Sequence, residues 1–273
     1  VSTAWLIRTR SPYDARMKDK VIVITGASAG IGAALAETAV KRGARVVLAA
    51  RRLPELQAVA QKLGDSALVV PADVTRREDN ELIRDRAITR FGQLDTWVNN
   101  AGRGISRMVS QLTDADIDDM VTVNLKSVLY GIQSVLPHFK AQKRGHILTV
   151  SSGLSRFPFA PQRSAYSASK AAVNLLMASL RVELRDEFPE IHTTTVLPGV
   201  VATEFGTNAL HGGVDNRRLP NAQPVEEVAA VIADAIEHPI AEVYTRPQMR
   251  ELAARYFAAE DVAAIERQFA LPR

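Results

Sequence analysis

Short apolar runs alternate along this chain with longer stretches whose apolar residues recur at helical spacing. Val21–Ile24, Arg45–Ala49 and Ala67–Val70 are predicted strands, followed by Leu94–Val98, His146–Val150 and Thr193–Leu197. Near-continuous apolar runs suit strands covered on both faces, as in a parallel sheet. Amphipathic helices are predicted near 31–42, 54–63, 76–91, 113–140 and 165–187. Such βαβα alternation predicts the α/β class: a doubly wound parallel sheet with helices on both faces and one core. No repeat or low-complexity linker interrupts it.

The rhythm breaks between Thr203 and Pro224, where Gly206, Gly212, Gly213 and Pro220 fall close together. A loop this long within a compact domain is usually functional or mobile. A helix near 225–237, a last strand at Glu242–Thr245 and a helical tail follow. The tail carries Leu252, Tyr256 and Ala259 at helical spacing and is expected to join an interface or shield a pocket. Residues 1–17 read as a leader outside the fold, with Arg8, Arg10, Pro12 and Arg16 in a polar stretch; the fold is expected to begin near Lys18. The leader reads as a transit peptide, a translated upstream segment or appended residues, and Asp14 and its shortness count against the first.

With 273 residues the chain is long enough for one large domain and a substantial core, and no second domain is required. Its 47% hydrophobic and 23% charged residues are ordinary for a soluble enzyme. The net charge of +4 is spread along the chain, so the basic residues read as solvated faces and no nucleic-acid partner is expected. No apolar run approaches the roughly 18 residues of a membrane span. Cysteine is absent, which removes disulfides and thiolate chemistry and fits a reducing cytoplasm.

Two local patterns carry chemistry. Gly26, Gly30 and Gly32 lie between the first strand and the first helix, where glycines permit a tight turn and close approach of a pyrophosphate to the backbone. Tyr166 and Lys170 stand four residues apart and share one helix face. The lysine's charge can favour the phenolate of a tyrosine whose ordinary pKa is about 10. Together they point to hydride transfer coupled to proton transfer at oxygen, hence an oxidoreductase. His138 and His146 have no acid at metal-ligand spacing, and no metal site is expected.

Thr25 to Gly32, Asn99-Asn-Ala-Gly102, Ser152, Tyr166-x-x-x-Lys170 and Pro198-Gly199 together resemble the short-chain dehydrogenase/reductase family, in its compact single-domain branch. The resemblance runs in order from about residue 18 to about 245. It implies a Rossmann-type domain, a nicotinamide cofactor, and a small or medium carbonyl or alcohol substrate of some apolar character. Gly26, Ser28, Gly30, Ile31 and Gly32 would then form the turn against the cofactor.

Ala50 stands where the family's NAD-selecting acid would be, and Arg51 follows it. A missing carboxylate and an available guanidinium favour NADP(H) over NAD(H), with Ser28 adding a hydroxyl to the 2′-phosphate. The bland alternative leaves Arg51 and Arg52 facing solvent. Asp73, with Val74 beside it, is implied to meet the adenine amino group, although it also reads as a residue opening a helix before Thr75. Asn100, Ala101 and Gly102 are implied to line the cofactor, while Asn99 holds the central sheet.

Tyr166 is the implied general acid/base, with Lys170 also contacting the nicotinamide ribose. Ser152 is implied to bond the substrate oxygen; Ser151 competes for the role, and a loop one residue shorter would align it with Gly153. Asn124 is implied to complete a water-bearing proton relay, or else stabilises a kink. Pro198, Gly199, Val201 and Thr203 are implied to cover the nicotinamide, and 204–220 resembles a substrate lid. Leu154, Phe157, Phe159, Val200 and Phe205 are candidates for an apolar wall, and Arg103 or Arg156 for meeting an anion. A homodimer or homotetramer is implied, formed through the helix bearing Tyr166, whose Ala168, Ala171, Ala172 and Ala178 permit close approach. The alternative function is a dinucleotide-binding regulator without turnover, which would have no chemical need for the Ser152, Tyr166, Lys170 and Asn124 set.

Overall fold

Seven parallel strands form one sheet in the order β3-β2-β1-β4-β5-β6-β7. The strands are β1 (Val21–Thr25), β2 (Arg45–Ala50), β3 (Ala67–Pro71), β4 (Thr96–Asn99), β5 (Gly145–Val150), β6 (Ile191–Leu197) and β7 (Glu242–Tyr244). This computed structural model describes residues 17–269. The leader's residues 1–16 and the last four residues of the chain lie outside them. Met17, assigned to the leader from sequence, is instead fully buried in the core. An apolar side chain that packs beneath β1 belongs to the fold, so the boundary moves by one residue.

Alternation along β1 explains the two layers. Ile22 and Ile24, with Val46, Leu48, Val98 and Leu148, face a core closed by helices α1 (Gly30–Lys41), α2 (Leu53–Leu63) and α7 (Val225–Glu237). Val21 and Val23, with Val47, Trp97 and Ile147, face a second core closed by α3 (Arg77–Phe91), α5 (Ser127–Gln142) and α6 (Ser164–Leu184). A strand buried on both sides needs apolar residues at consecutive positions, which is the pattern the sequence shows. Helix α5 approaches the sheet closely because Gly131 has no side chain; a Cβ there would overlap Asn99 Oδ1 and Trp97 Nε1, which are hydrogen-bonded to each other at 2.7 Å.

The helix predicted over 113–140 is in fact two helices, α4 (Asp114–Val121) and α5, joined by a π-helical turn at Thr122–Lys126. Thr113 caps α4 in a capping box with Asp116. The widened turn carries Asn124, which is fully buried and occupied on every side. Its Oδ1 accepts from the Arg103 amide at 2.9 Å, and its Nδ2 donates to Arg103 O at 2.9 Å and Ser169 Oγ at 3.2 Å. A side chain bonded to a neighbouring segment stabilises such a bulge where propensity would not.

Chain reversal in strand order, between β1 and β4, opens a crevice at the carboxyl ends of the strands. The irregular segment after β6 crosses above it, tied down by bridges between Ile105 and Leu210 and between Val201 and Gln223. His211, in this segment, bonds the buried Asp116 at 2.7 Å. The tail forms α8 (Pro247–Ala258) and α9 (Val262–Glu266) and folds back over the crevice. Phe157 meets Tyr256 and Phe269 with ring centroids 6.2 and 6.0 Å apart, and Phe159 meets Phe269 at 5.4 Å.

Candidate active site

A cavity of about 1060 Å³ runs from the β1–α1 turn to Tyr166. Among the residues predicted from sequence, Gly26, Ser28, Gly30, Ile31, Arg51, Asp73, Val74, Asn100, Ala101 and Gly102 line it. So do Ser152, Tyr166, Lys170, Pro198, Gly199, Val201 and Thr203. Gly32 and Asn124 do not line it; both sit one layer behind.

The turn is set from beneath. Gly26 has φ 66°, a conformation glycine adopts without a Cβ penalty. A Cβ on Gly32 would come 2.5 Å from Gly26 O and 2.7 Å from Asn100 Nδ2, so Gly32 permits the packing of the turn rather than touching a ligand. Thr25 Oγ1 accepts the amides of Asn100 and Ala101 at 3.0 and 3.1 Å and donates to Val98 O at 3.2 Å. Asn100 Nδ2 donates to Thr25 O at 2.8 Å, which makes its side chain a brace. Helix α1 starts at Gly30 with no side-chain cap, so its first amides face the cavity unpaired. Uncapped amides, the helix dipole and a bare glycine cradle fit a pyrophosphate.

At the end of β2, Arg51 is exposed and makes no hydrogen bond or salt bridge among the described residues. Arg52, exposed like Arg51, donates from Nη2 to Ser28 Oγ at 3.0 Å and pairs with Glu55 at 3.5 Å. The two guanidiniums and the serine hydroxyl thus form one polar corner. Asp73 Oδ1 accepts from the Thr75 amide at 3.0 Å and its hydroxyl at 2.7 Å. Burial works against its charge, yet the Thr75 bonds and the nearby Arg51 and Arg76 hold its carboxyl below the ordinary value. Asp73 therefore opens the segment before Thr75 and lines the cavity as well. Thr203 places its methyl beside Gly30, where a Cβ would lie 3.1 Å away.

At the other end, burial pushes the Tyr166 phenol above its ordinary value, while a hydrogen bond with Ser152 and the charge of Arg163 pull it down. Ser151 is turned away, donating to Asn174 Oδ1 at 2.6 Å and Lys170 O at 3.3 Å. Gly153 has no side chain to offer: its amide donates to Pro198 O at 2.8 Å, its carbonyl accepts from the Arg156 amide at 3.1 Å, and a Cβ there would overlap Met249 Cε. Of the three positions open to the role, the fold brings Ser152 to the phenol. Lys170 Nζ donates to Val150 O at 2.9 Å and lies 5.9 Å from the Tyr166 ring centre. A Cβ on Gly102 would fall 3.1 Å from Asn124 Oδ1 and 3.4 Å from Lys170 Nζ, so this glycine leaves open the space between the two.

Burial lowers the Lys170 pKa from 10.5 to about 8. A lysine depressed on folding destabilises the fold most below the folded value, and the penalty fades as pH rises toward the unfolded one. Wild type is therefore expected to gain on the order of 3 kcal/mol relative to Lys170→Met between pH 8 and 10.5 without cofactor. Urea denaturation of both proteins across that range checks it; a pH-independent gap would contradict it.

The substrate side differs in part from expectation. Leu154, Phe159, Val200 and Phe205 line the cavity, but Phe157 is buried against the tail, which takes its ring out of the wall. Met249 and Leu252, from α8, take part in the wall instead. Arg103 pairs with Asp119 at 3.0 Å and Arg156 with Glu242 at 2.5 Å, so both predicted anion partners are already neutralised. Arg163, unremarked from sequence, lines the cavity three residues before Tyr166. Among the described residues no group of three His, Cys, Asp or Glu could hold a metal, and no helix is long and apolar enough to cross a membrane.

Comparison with known proteins agrees with this geometry. The short chain dehydrogenase family model matches residues 20–212. An uncharacterized oxidoreductase of Listeria innocua is 38% identical over 232 residues, covering 82% of this chain and 92% of the relative. An alcohol dehydrogenase from Thermococcus sibiricus, solved with 5-hydroxy-NADP, superposes with a TM-score of 0.73 at 27% identity over 83% of this chain and 96% of that one. A short chain dehydrogenase/reductase from Burkholderia phymatum, solved with NAD, has a TM-score of 0.82 over 94% of this chain and 99% of that one; at 24% identity it speaks to the fold alone.

Proposed function

The chain belongs to the short-chain dehydrogenase family, an oxidoreductase family with a Rossmann-type fold, and from that premise we propose that it moves hydride between NADP(H) and a carbonyl or alcohol. The observation that carries the reading is a buried phenol with Ser152 and Lys170 beside it, at the far end of a cavity that begins on the uncapped glycine turn. When bound, the nicotinamide supplies or takes the hydride. In the reducing direction Tyr166 gives its proton to the carbonyl oxygen, while the Ser152 hydroxyl stabilises charge developing there. Lys170 and Asn124 flank the gap behind Gly102 through which a replacement proton reaches the phenol. In the oxidising direction the same atoms act in reverse.

The preference for NADP(H) is supported by the corner of Arg51, Arg52 and Ser28, which offers two cations, Arg52 paired with Glu55 at 3.5 Å and Arg51 without a partner among the described residues. A self-associating α6 is supported by its exposed Ala168, Ala171, Ala172, Leu175 and Val182, a stripe of small and apolar residues suited to a second copy. The absence of cysteine suits a reducing cytoplasm, where we place the protein.

Paired fluorescence titrations with NADPH and NADH, followed by turnover of a carbonyl panel, test the reading. Tighter NADPH binding with turnover is expected. Tighter NADH binding would overturn the cofactor assignment, binding without turnover would favour a regulator, and binding of neither would sink the proposal.

A further inference from the structure

Arg163 is a cation in the substrate end of the cavity that no carboxylate neutralises among the described residues. The other arginines around it differ: Arg103 faces Asp119, and Arg217 faces Asp215 at 2.7 Å and Glu204 at 3.0 Å. Among the described residues the Arg163 side chain makes one hydrogen bond, from Nη1 to Ile105 O at 3.1 Å, out of the five N–H donors a guanidinium offers. It is held beneath the lid between two glycines, since a Cβ on Gly104 or Gly213 would come within 3.1 Å of Nη1 or 2.8 Å of Nη2. Burial depresses its pKa and the interaction with Tyr166 offsets this only in part. Beside it the side-chain oxygen of Gln162, a cavity-lining residue, is buried without a hydrogen-bond partner. A half-buried, unneutralised guanidinium is costly unless something completes it.

Resting on the proposed oxidoreductase reading of this site, we infer that Arg163 recognises a carboxylate on the substrate, which is therefore an oxo acid or hydroxy acid with an apolar chain. The planar fork of a guanidinium matches two carboxylate oxygens. Arg163 is the N-cap residue of α6 and Tyr166 lies in the first turn of that helix; both line the cavity and their charges interact, so the acid group and the reacting oxygen are read side by side. Phe159, Met249 and Leu252 offer the apolar chain its wall.

Binding tests this without relying on turnover. Calorimetric titration of the full chain, with and without NADPH, compares unbranched alkanoates of four to eight carbons with the amides of the same acids. The wild type is expected to bind the best-fitting carboxylate on the order of tenfold to a hundredfold more tightly than its amide. Arg163→Gln is expected to bring the two to near parity, and Arg163→Lys to keep part of the preference; thermal melts of both variants check folding. Equal binding of acid and amide by wild type, an acid preference surviving in Arg163→Gln, or no carboxylate bound across the series overturns the inference. Failure to turn over any carbonyl would count against the oxidoreductase reading while leaving the carboxylate result intact.

Discussion

Tyr166→Phe is expected to lower kcat by roughly a thousandfold or more while NADPH affinity changes by less than about twofold. A positioned general acid contributes about 10²–10⁴ in rate. The phenol here is buried beside Ser152 and packed on Phe205 with ring centres 5.4 Å apart, so phenylalanine keeps the ring and its packing and deletes only the proton donor. The cost in stability is expected to be small, because the neighbouring Ser152 hydroxyl keeps the Leu154 amide as a partner at 3.1 Å. Single-turnover absorbance of the nicotinamide and fluorescence titration separate the two quantities. Equal loss of both would mean that Tyr166 shapes the cavity and does not move a proton.

The double variant Arg51→Gln, Arg52→Gln is expected to weaken NADPH binding by about a hundredfold and leave NADH binding nearly unchanged. Each charge-assisted contact to a phosphate contributes about 1.5–3 kcal/mol. Both side chains are exposed here, so solvent screening places the sum near the lower end. Arg52 is included because it reaches Ser28 Oγ and Arg51 alone does not complete the corner. The same titrations at low and high salt check the assignment, since the wild-type preference for NADPH should shrink as salt rises. Parallel loss of both cofactors would point to damage of the neighbouring turn.

The fold was legible because its evidence is local. Apolar runs such as 21–24 can bury both faces only inside a covered parallel sheet, and the observed β1 extends the expected strand by one residue, to Thr25. The site was legible to the same depth. Tyr166 and Lys170 lie on one helix, and Gly26 to Gly32 lie on one turn, so spacing alone brings them together. Where local propensity and tertiary contact disagreed, the contact won: Asn124 bonds Arg103 and opens a π turn within what periodicity reads as one helix.

By itself, the sequence determined the doubly wound sheet, the glycine turn and the pairing of a tyrosine with a lysine, because periodicity and short spacings encode them. Only the tertiary structure decided which serine meets the phenol, which cations are neutralised and which residues wall the substrate. Arg156 looked free until Glu242, 86 residues on, was brought against it. Arg163 looked ordinary until the fold left it without an acid among the described residues. Met249 and Leu252 enter the cavity because the tail folds back over Gly153, where the absence of a side chain admits Met249. Such facts depend on which distant segments come into contact, and the packing of the whole chain is what brings them there.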